Sequence, residues 1–116
     1  MELGRHALAD LYNCNNEILD DVEKIKEVIE ISCKEANLNV VESIYHKFEP
    51  IGVSGVTILS ESHITIHTWP EYNFASIDAF TCGKNMDPTL VCNILADKLK
   101  STETNIKEYK RGSKHE

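Results

Sequence analysis

The chain has 116 residues and a mass of 13.1 kDa, which suits one globular domain and excludes two. Hydrophobic residues make up 41% and charged residues 27%, the balance of a folded protein rather than a disordered one. The net charge of −7 argues against a nucleic-acid-binding surface, and no apolar run approaches the roughly 20 residues of a membrane-spanning helix.

The first half of the chain is predicted to form a strand and then a long helix. Residues 3–13 alternate loosely between polar and apolar side chains, as a strand does. Asn15 and Asn16 form a capping signal, and apolar residues then recur at helical spacing from Ile18 to Ala36. This pattern predicts one helix over about 16–37.

The second half is rich in strand-forming residues. Strands are predicted over 40–48, 53–59, 63–69 and 74–82, with a turn at 70–73. Asp87 and Pro88 predict the start of a second helix, because Asp is a favoured N-cap and Pro a favoured first helical residue. The charged run 104–111 predicts a final strand at a sheet edge.

The resulting order, β-α-β-β-β-β-α-β, predicts an α+β fold for the single domain 1–116. Short turns between consecutive strands require antiparallel pairing. We therefore expect a two-layer α/β sandwich in which two helices cover one face of a mostly antiparallel sheet. Because both faces of 53–59 and 74–82 carry apolar residues, we expect a second subunit to cover the other face.

The four cysteines indicate the redox environment of the protein. They form no C-x-x-C pair, and the N-terminal residues lack the apolar core of a signal peptide. We therefore expect reduced thiols in a cytoplasmic protein. Cys14, Cys33 and Cys92 lie among apolar residues and are expected to pack as small hydrophobic side chains. Cys82 stands at the exit of a predicted strand, directly before Gly83.

The segment 59–71 places two serines, two histidines, two glutamates and a tryptophan in a strongly β-forming run. The spacing of His63 and His67 is typical of a helical zinc pair, but four residues of strand separate the imidazoles by about 13 Å. We therefore assign no metal ligand. A nucleophilic site that uses Ser, His and Cys82 remains open, as does plain packing of Cys82 and His67.

Several short motifs, taken in order, are similar to prokaryotic S-adenosylmethionine decarboxylase, a pyruvoyl-dependent enzyme. The likeness covers about residues 2–112. The motifs are Leu3-Gly4-Arg5-His6, His46-Lys47-Phe48, Gly52-Val53-Ser54-Gly55-Val56, Glu61-Ser62-His63, His67-Thr68-Trp69-Pro70-Glu71, Phe80-Thr81-Cys82-Gly83 and Asp87-Pro88.

The resemblance implies that the chain is a proenzyme that cuts itself between Glu61 and Ser62. The products are a β chain, 1–61, and an α chain, 62–116, whose first residue becomes a pyruvoyl group. In this family the serine hydroxyl attacks the preceding carbonyl to form an ester, and elimination and hydrolysis leave the pyruvoyl group and ammonia. The resemblance further implies that Ser54 and His67 assist processing, with His67 as the proton acceptor.

For the decarboxylation itself, the resemblance implies a Schiff base between the pyruvoyl group at Ser62 and the substrate amine. Cys82 matches the proton donor, Phe48 the aromatic residue that stacks on adenine, and Glu71 the carboxylate that binds the nucleoside. We expect Trp69 to belong to the core. We also expect a homodimer of cleaved αβ protomers, active without a polyamine or metal activator.

The implied function is decarboxylation of S-adenosylmethionine to S-adenosylmethioninamine for spermidine biosynthesis. One alternative keeps the fold and the pyruvoyl group and decarboxylates arginine or ornithine. Another, of a different class, is a non-catalytic small α/β ligand-binding dimer. The ligand-binding dimer predicts an intact chain of 13.1 kDa, whereas either pyruvoyl-dependent decarboxylase predicts two fragments.

Overall fold

A single antiparallel sheet forms the framework of the protein, seen here in a computed structural model that describes residues 2–82, 84 and 86–113. Within these residues the sheet has six strands in the order β2-β3-β4-β5-β1-β6, and every neighbouring pair is antiparallel. The strands are β1 (Gly4–Tyr12), β2 (Val40–Lys47), β3 (Val53–Leu59), β4 (Ser62–Trp69), β5 (Phe74–Thr81) and β6 (Glu103–Arg111).

The second predicted helix begins where the sequence indicates. Helix α3 spans Pro88–Lys98, and the Asp87 carboxylate accepts hydrogen bonds from the backbone N–H groups of Thr89 and Leu90. Pro88 occupies the first helical position, where a missing N–H group costs nothing. The predicted N-cap is therefore confirmed in detail.

The prediction of one continuous helix over 16–37 is wrong. The chain forms α1 (Asn16–Leu19) and α2 (Val22–Glu35), separated at Asp20 and Asp21. Asp21 starts α2 as an N-cap that accepts from two backbone N–H groups. The Asp20 carboxylate points away from the helix towards the β2–β3 connection, where it accepts from the Gly52 N–H at 2.8 Å and pairs with the Lys47 amine at 3.1 Å.

The helices cover one face of the sheet, and the main core lies between them. The alternation predicted for 63–69 is confirmed, since Ile64 and Ile66 are buried under the helices while His63 and His67 lie on the other face. Cys14, Cys33 and Cys92 are buried in the core, as predicted. The face opposite the helices is uncovered in one chain.

The remaining predicted elements agree with the structure to within a residue or two at their ends. The final charged strand, β6, lies at one edge of the sheet, and β2 lies at the other. The predicted turn is a 3₁₀ helix over Pro70–Tyr72, closed by Asn73 in the left-handed conformation. Within the described residues, no helix is long and apolar enough to cross a membrane.

We expect stability to fall in alkaline solution because of the buried thiols. Burial, aided by nearby carboxylates, raises the pKa of Cys92 to about 12 and that of Cys33 to about 11. In the unfolded chain a thiol has a pKa of about 8.5. Their stabilising contribution is therefore complete below about pH 8.5 and lost as the pH rises towards these folded values.

At about pH 10 the expected loss from Cys92 alone is about 2 kcal/mol. Urea denaturation from neutral pH to about pH 10 measures this loss. Cys92→Ala lowers the starting stability but flattens the alkaline decline by that amount. Parallel declines in the two proteins would show that the Cys92 thiol does not drive it.

Candidate active site

The turn between β3 and β4 holds the peptide bond that joins Glu61 to Ser62. Leu59 pairs with Ser62, so Ser60 and Glu61 form a two-residue hairpin turn. The Glu61 carbonyl oxygen accepts the Cys82 backbone N–H at 3.1 Å and the Cys82 thiol at 3.1 Å. Two donors on one carbonyl polarise it and can stabilise negative charge on its oxygen.

The upstream side of the turn is also held. The Ser60 N–H donates to the Asn39 carbonyl at 3.0 Å, and the Asn39 amide donates to the Ser60 hydroxyl at 2.6 Å. The turn is thus fixed from both sides, by Asn39 and by Cys82. A peptide bond held in this way can be presented to a nucleophile in one orientation.

The Ser62 hydroxyl belongs to the residue that directly follows this bond. It is buried and has no hydrogen-bond partner among the described residues. A buried hydroxyl without a partner is destabilising by about 1–3 kcal/mol, so such groups are rare unless they serve a reaction. The Ser32 hydroxyl is also buried without such a partner, so what singles out Ser62 is its place directly after the Glu61 carbonyl.

A second group of predicted site residues lies at the other end of β4. His67 and Ser54 are register partners on β4 and β3, and the His67 Nδ1 lies 2.8 Å from the Ser54 hydroxyl. They line a pocket of about 470 Å³ together with Phe48 and Glu71. The structure therefore brings four of the predicted residues together.

The prediction that Trp69 belongs to the core is wrong. Its side chain is 40% exposed and lines the same pocket as His67. The rings of His67 and Trp69 lie 6.4 Å apart because residues two apart on a strand share a face. The signal was available in the sequence, since the strand that exposes His67 exposes Trp69 as well.

The two groups are not within reach of each other in one chain. Ser62 and His67 are five residues apart on one strand, so their Cα atoms are separated by about 16 Å. They also point to opposite faces, as residues an odd number apart do. A separate pocket of about 450 Å³, lined by Leu3, Thr81 and Cys82 among others, lies at the Ser62 end.

Sequence reasoning missed a third group on the uncovered face, where three strands meet at the Asp78 carboxylate. Its Oδ1 lies 2.9 Å from the His6 Nε2 and 3.1 Å from the His63 Nε2, and Thr65 donates to its Oδ2. Burial alone would raise the pKa of Asp78, but these hydrogen bonds outweigh it and hold that pKa below its usual value. Only the sheet register brings these residues together.

The ligand atoms of His6, His63 and Asp78 all lie within 4.8 Å of one another, a separation that a metal ion can bridge. However, the Arg111 guanidinium donates to the His6 Nδ1 at 3.0 Å. Because that nitrogen is then the acceptor, Nε2 carries the ring proton and donates it to Asp78. The proton occupies the position that a metal needs, so the group is organised as a hydrogen-bonded cluster.

A further concavity, of about 810 Å³, lies near the same end of the sheet as His67 and includes Glu71 in its lining. Most of its other lining residues come from the α1–α2 region and are polar or charged. Its Lys47 and Asp20 are paired with each other at 3.1 Å. No group of candidate reactive residues is assembled there among the described residues.

Comparisons with known proteins agree on one family. The family model described as S-adenosylmethionine decarboxylase matches residues 5–112. The S-adenosylmethionine decarboxylase proenzyme of Thermosipho africanus is 48% identical over 95% of this chain and 85% of its own length. That of Caldicellulosiruptor saccharolyticus is 47% identical over 95% and 89%. The crystal structure of the adenosylmethionine decarboxylase from Aquifex aeolicus has a TM-score of 0.89 and 39% identity, covering 96% of this chain and 92% of that one.

Thiol labelling should distinguish Cys82 from the other cysteines. Cys82 is exposed, whereas Cys14, Cys33 and Cys92 are buried. Brief treatment of the folded protein with iodoacetamide, followed by peptide mass spectrometry, should modify Cys82 alone, because alkylation requires access. Denatured protein should be labelled at all four, and folded Cys82→Ala at none. Labelling of Cys92 at the rate of Cys82 would contradict this geometry.

Proposed function

The chain belongs to the S-adenosylmethionine decarboxylase family, and we propose that it matures by self-cleavage at Glu61-Ser62 and then decarboxylates S-adenosylmethionine for spermidine biosynthesis. The observation that carries this proposal is the pairing of an unpartnered, buried Ser62 hydroxyl with a Glu61 carbonyl that accepts two hydrogen bonds from Cys82. The relatives named as proenzymes support it.

Self-cleavage requires the Ser62 oxygen to attack the Glu61 carbonyl carbon. As the new C–O bond forms, negative charge develops on the carbonyl oxygen, where the Cys82 N–H and thiol already donate. The hydroxyl proton passes to the Ser62 nitrogen as the C–N bond breaks, and the product is an ester. Removal of the Ser62 α-proton then releases the Glu61 carboxylate and leaves dehydroalanine at residue 62, which water converts to a pyruvoyl group and ammonia. The expected products are the fragments 1–61 and 62–116.

The residues around Ser62 fit a pyruvoyl group formed at that position. The hydroxyl that must be lost has no hydrogen-bond partner among the described residues, so its removal breaks no contact there. When present, the group supplies a carbonyl that takes up the electrons released as carbon dioxide leaves. The Cys82 thiol lies 3.1 Å from the Glu61 oxygen, and this nearness to residue 62 supports the proposal that it returns a proton to the substrate α-carbon.

The pocket at the His67 end favours a nucleoside substrate. Phe48 and Trp69 present aromatic side chains to a flat base and to a sulfonium cation, and Glu71 offers a carboxylate to ribose hydroxyls. Arginine and ornithine have no flat base for such walls to stack on.

The four free thiols also support a cytoplasmic location.

A homodimer resolves the distance between the two groups. Ser62 and His67 are about 16 Å apart along β4, so a second copy must bring its own His67 to this end of the strand if His67 is the base. Because the Ser62 side chain points to the helix face, such a histidine would approach the backbone of residue 62, whose α-proton is the one removed. The uncovered face supports such a contact because it exposes a row of apolar side chains. Leu8 is 44% exposed, Ile44 65%, Val56 43% and Ile58 43%.

The sheet register indicates how two copies would pair. Ile44, Val56, Thr65, Asp78 and Leu8 form one continuous row across the uncovered face. A two-fold axis along this row, between two sheets packed face to face, reverses the strand direction of the partner. The His67 end of one protomer then lies opposite Ser62 of the partner subunit. Each active site would thus combine the Cys82 pocket of one chain with the Phe48 pocket of the other.

Denaturing mass spectrometry tests self-cleavage directly. The wild-type chain should give 1–61 and 62–116, the second blocked to Edman degradation, whereas Ser62→Ala should remain intact because no hydroxyl is left to attack. A wild-type chain that stays intact on long incubation would contradict the enzymatic proposal and favour the ligand-binding dimer.

Assays of the cleaved protein with S-adenosylmethionine, arginine and ornithine identify the substrate, and turnover of arginine or ornithine alone would overturn the nucleoside assignment.

Coexpression of two inactive variants tests the shared site. Ser62→Ala chains lack the nucleophile and His67→Ala chains lack the proposed base, so neither should cut itself efficiently alone. If His67 acts across the dimer, a mixed dimer contains one complete site, and only the His67→Ala chain is cut. Mass spectrometry reads this outcome because the two chains differ in mass. No cleavage in dimers shown to be mixed would place both groups in the same chain.

A further inference from the structure

We propose that Asp78, oriented by His6, clamps His63 and thereby holds in place the chain end that self-cleavage creates at residue 62. This inference rests on the proposed function, since without cleavage there is no new chain end. The residues concerned are positioning residues, because they act through His63 on the group attached to it.

Cleavage at Glu61-Ser62 would leave a free chain end at the start of a strand in the middle of the sheet. Ser62 is the first residue of β4, a strand paired on both sides in the middle of the sheet. In the intact chain the hairpin turn holds it opposite Leu59. After cleavage that covalent restraint is gone, and a chain end frays unless something ties it down. Fraying there would move the reactive group itself.

His63 directly follows the residue at the new chain end, and its side chain is tied to a strand that cleavage leaves intact. Its Nε2 lies 3.1 Å from the Asp78 Oδ1 on β5. Its ring also stacks on Phe80 of β5, with centroids 5.7 Å apart and planes inclined by 16°. The backbone nitrogen of His63 is bonded to residue 62, which becomes the reactive residue. A His63 side chain that is held in place therefore restricts the position of residue 62.

The Asp78 carboxylate, which accepts the hydrogen bond from His63, is itself held by His6 on β1, on the other side of β5. Arg111 on β6 donates to the His6 Nδ1, which leaves His6 to donate from Nε2 to the Asp78 Oδ1 at 2.9 Å. Thr65 donates to the other carboxylate oxygen. The lowered pKa of Asp78 keeps the carboxylate charged at neutral pH, and hydrogen bonds to a charged acceptor are the stronger kind. One carboxylate therefore ties β4 to β5 and β1.

Hydrogen exchange of residues 62–69 tests the clamp before and after cleavage. His63→Phe keeps an aromatic ring against Phe80 and removes the donor to Asp78. In the cleaved protein we expect exchange in this segment to rise about tenfold, the change expected from losing a hydrogen bond to a charged group. In the uncleaved Ser62→Ala background, where the turn still holds the strand, the same substitution should change exchange less than about twofold.

Two further variants separate the clamp from general packing. His63→Gln places an amide donor at about the same reach and should restore slow exchange. Asp10→Asn removes a neighbouring carboxylate from the same face, opposite Ser76, and should behave like wild type. Asp78→Asn keeps the side-chain shape without the charge and should give a smaller increase than His63→Phe. It also provides the comparison if the His63→Phe chain is not cut.

The outcomes distinguish the clamp from the function on which it rests. Wild-type protein that is cleaved, with unchanged exchange in cleaved His63→Phe, would overturn the clamp alone. Equal acceleration in the cleaved and uncleaved backgrounds would also overturn it, because His63 would then contribute only to packing. Wild-type protein that never cleaves would overturn the proposed function and the clamp together.

Discussion

The alternation of side chains along β4 is the constraint on which the rest of the structure depends. Successive residues of a strand point to opposite faces, and burial of Ile64 and Ile66 under the helices fixes which face is which. His63 and His67 must then lie on the uncovered face. A shift of one residue would bury both imidazoles and expose both isoleucines, so the hydrophobic core enforces the register that the chemistry needs.

The same strand separates the two groups of candidate site residues, and β5 holds the group at the proposed cut. Cys82 at the end of β5 donates two hydrogen bonds to the Glu61 carbonyl. On the downstream side, Asp78 on β5 contacts His63. A rigid sheet cannot bend to bring His67 to this end, so the proposed role of His67 depends on a second copy. Because both Asp78 oxygens already accept hydrogen bonds within their own chain, a partner sheet can cover the carboxylate without leaving either oxygen unsatisfied.

Much of the fold could be predicted because the signals are local. The strand over 53–59 was predicted with the ends that the structure shows, since an alternating run bounded by turn residues specifies itself. Asp87 and Pro88 likewise specified the start of α3 within two residues of chain. The segment 59–71 also stood out as a candidate site, because a strand so loaded with reactive side chains conflicts with ordinary packing, whereas the cut at Glu61-Ser62 was predicted from the family resemblance.

Other features were decided by contacts between residues far apart in the chain. The helix break at Asp20 depends on Gly52 and Lys47, which no helical pattern in 16–37 reveals. The tie between His63 and Asp78, and the meeting of Asp78 with His6, 72 residues earlier, depend on strand order and register. The spacing of residues within one helix or strand determines where that element begins and ends and which of its side chains share a face. This depends on the backbone of that element alone. Which side chains meet across those faces is set by how the whole sheet pairs, so the cluster around Asp78 exists only in the folded protein.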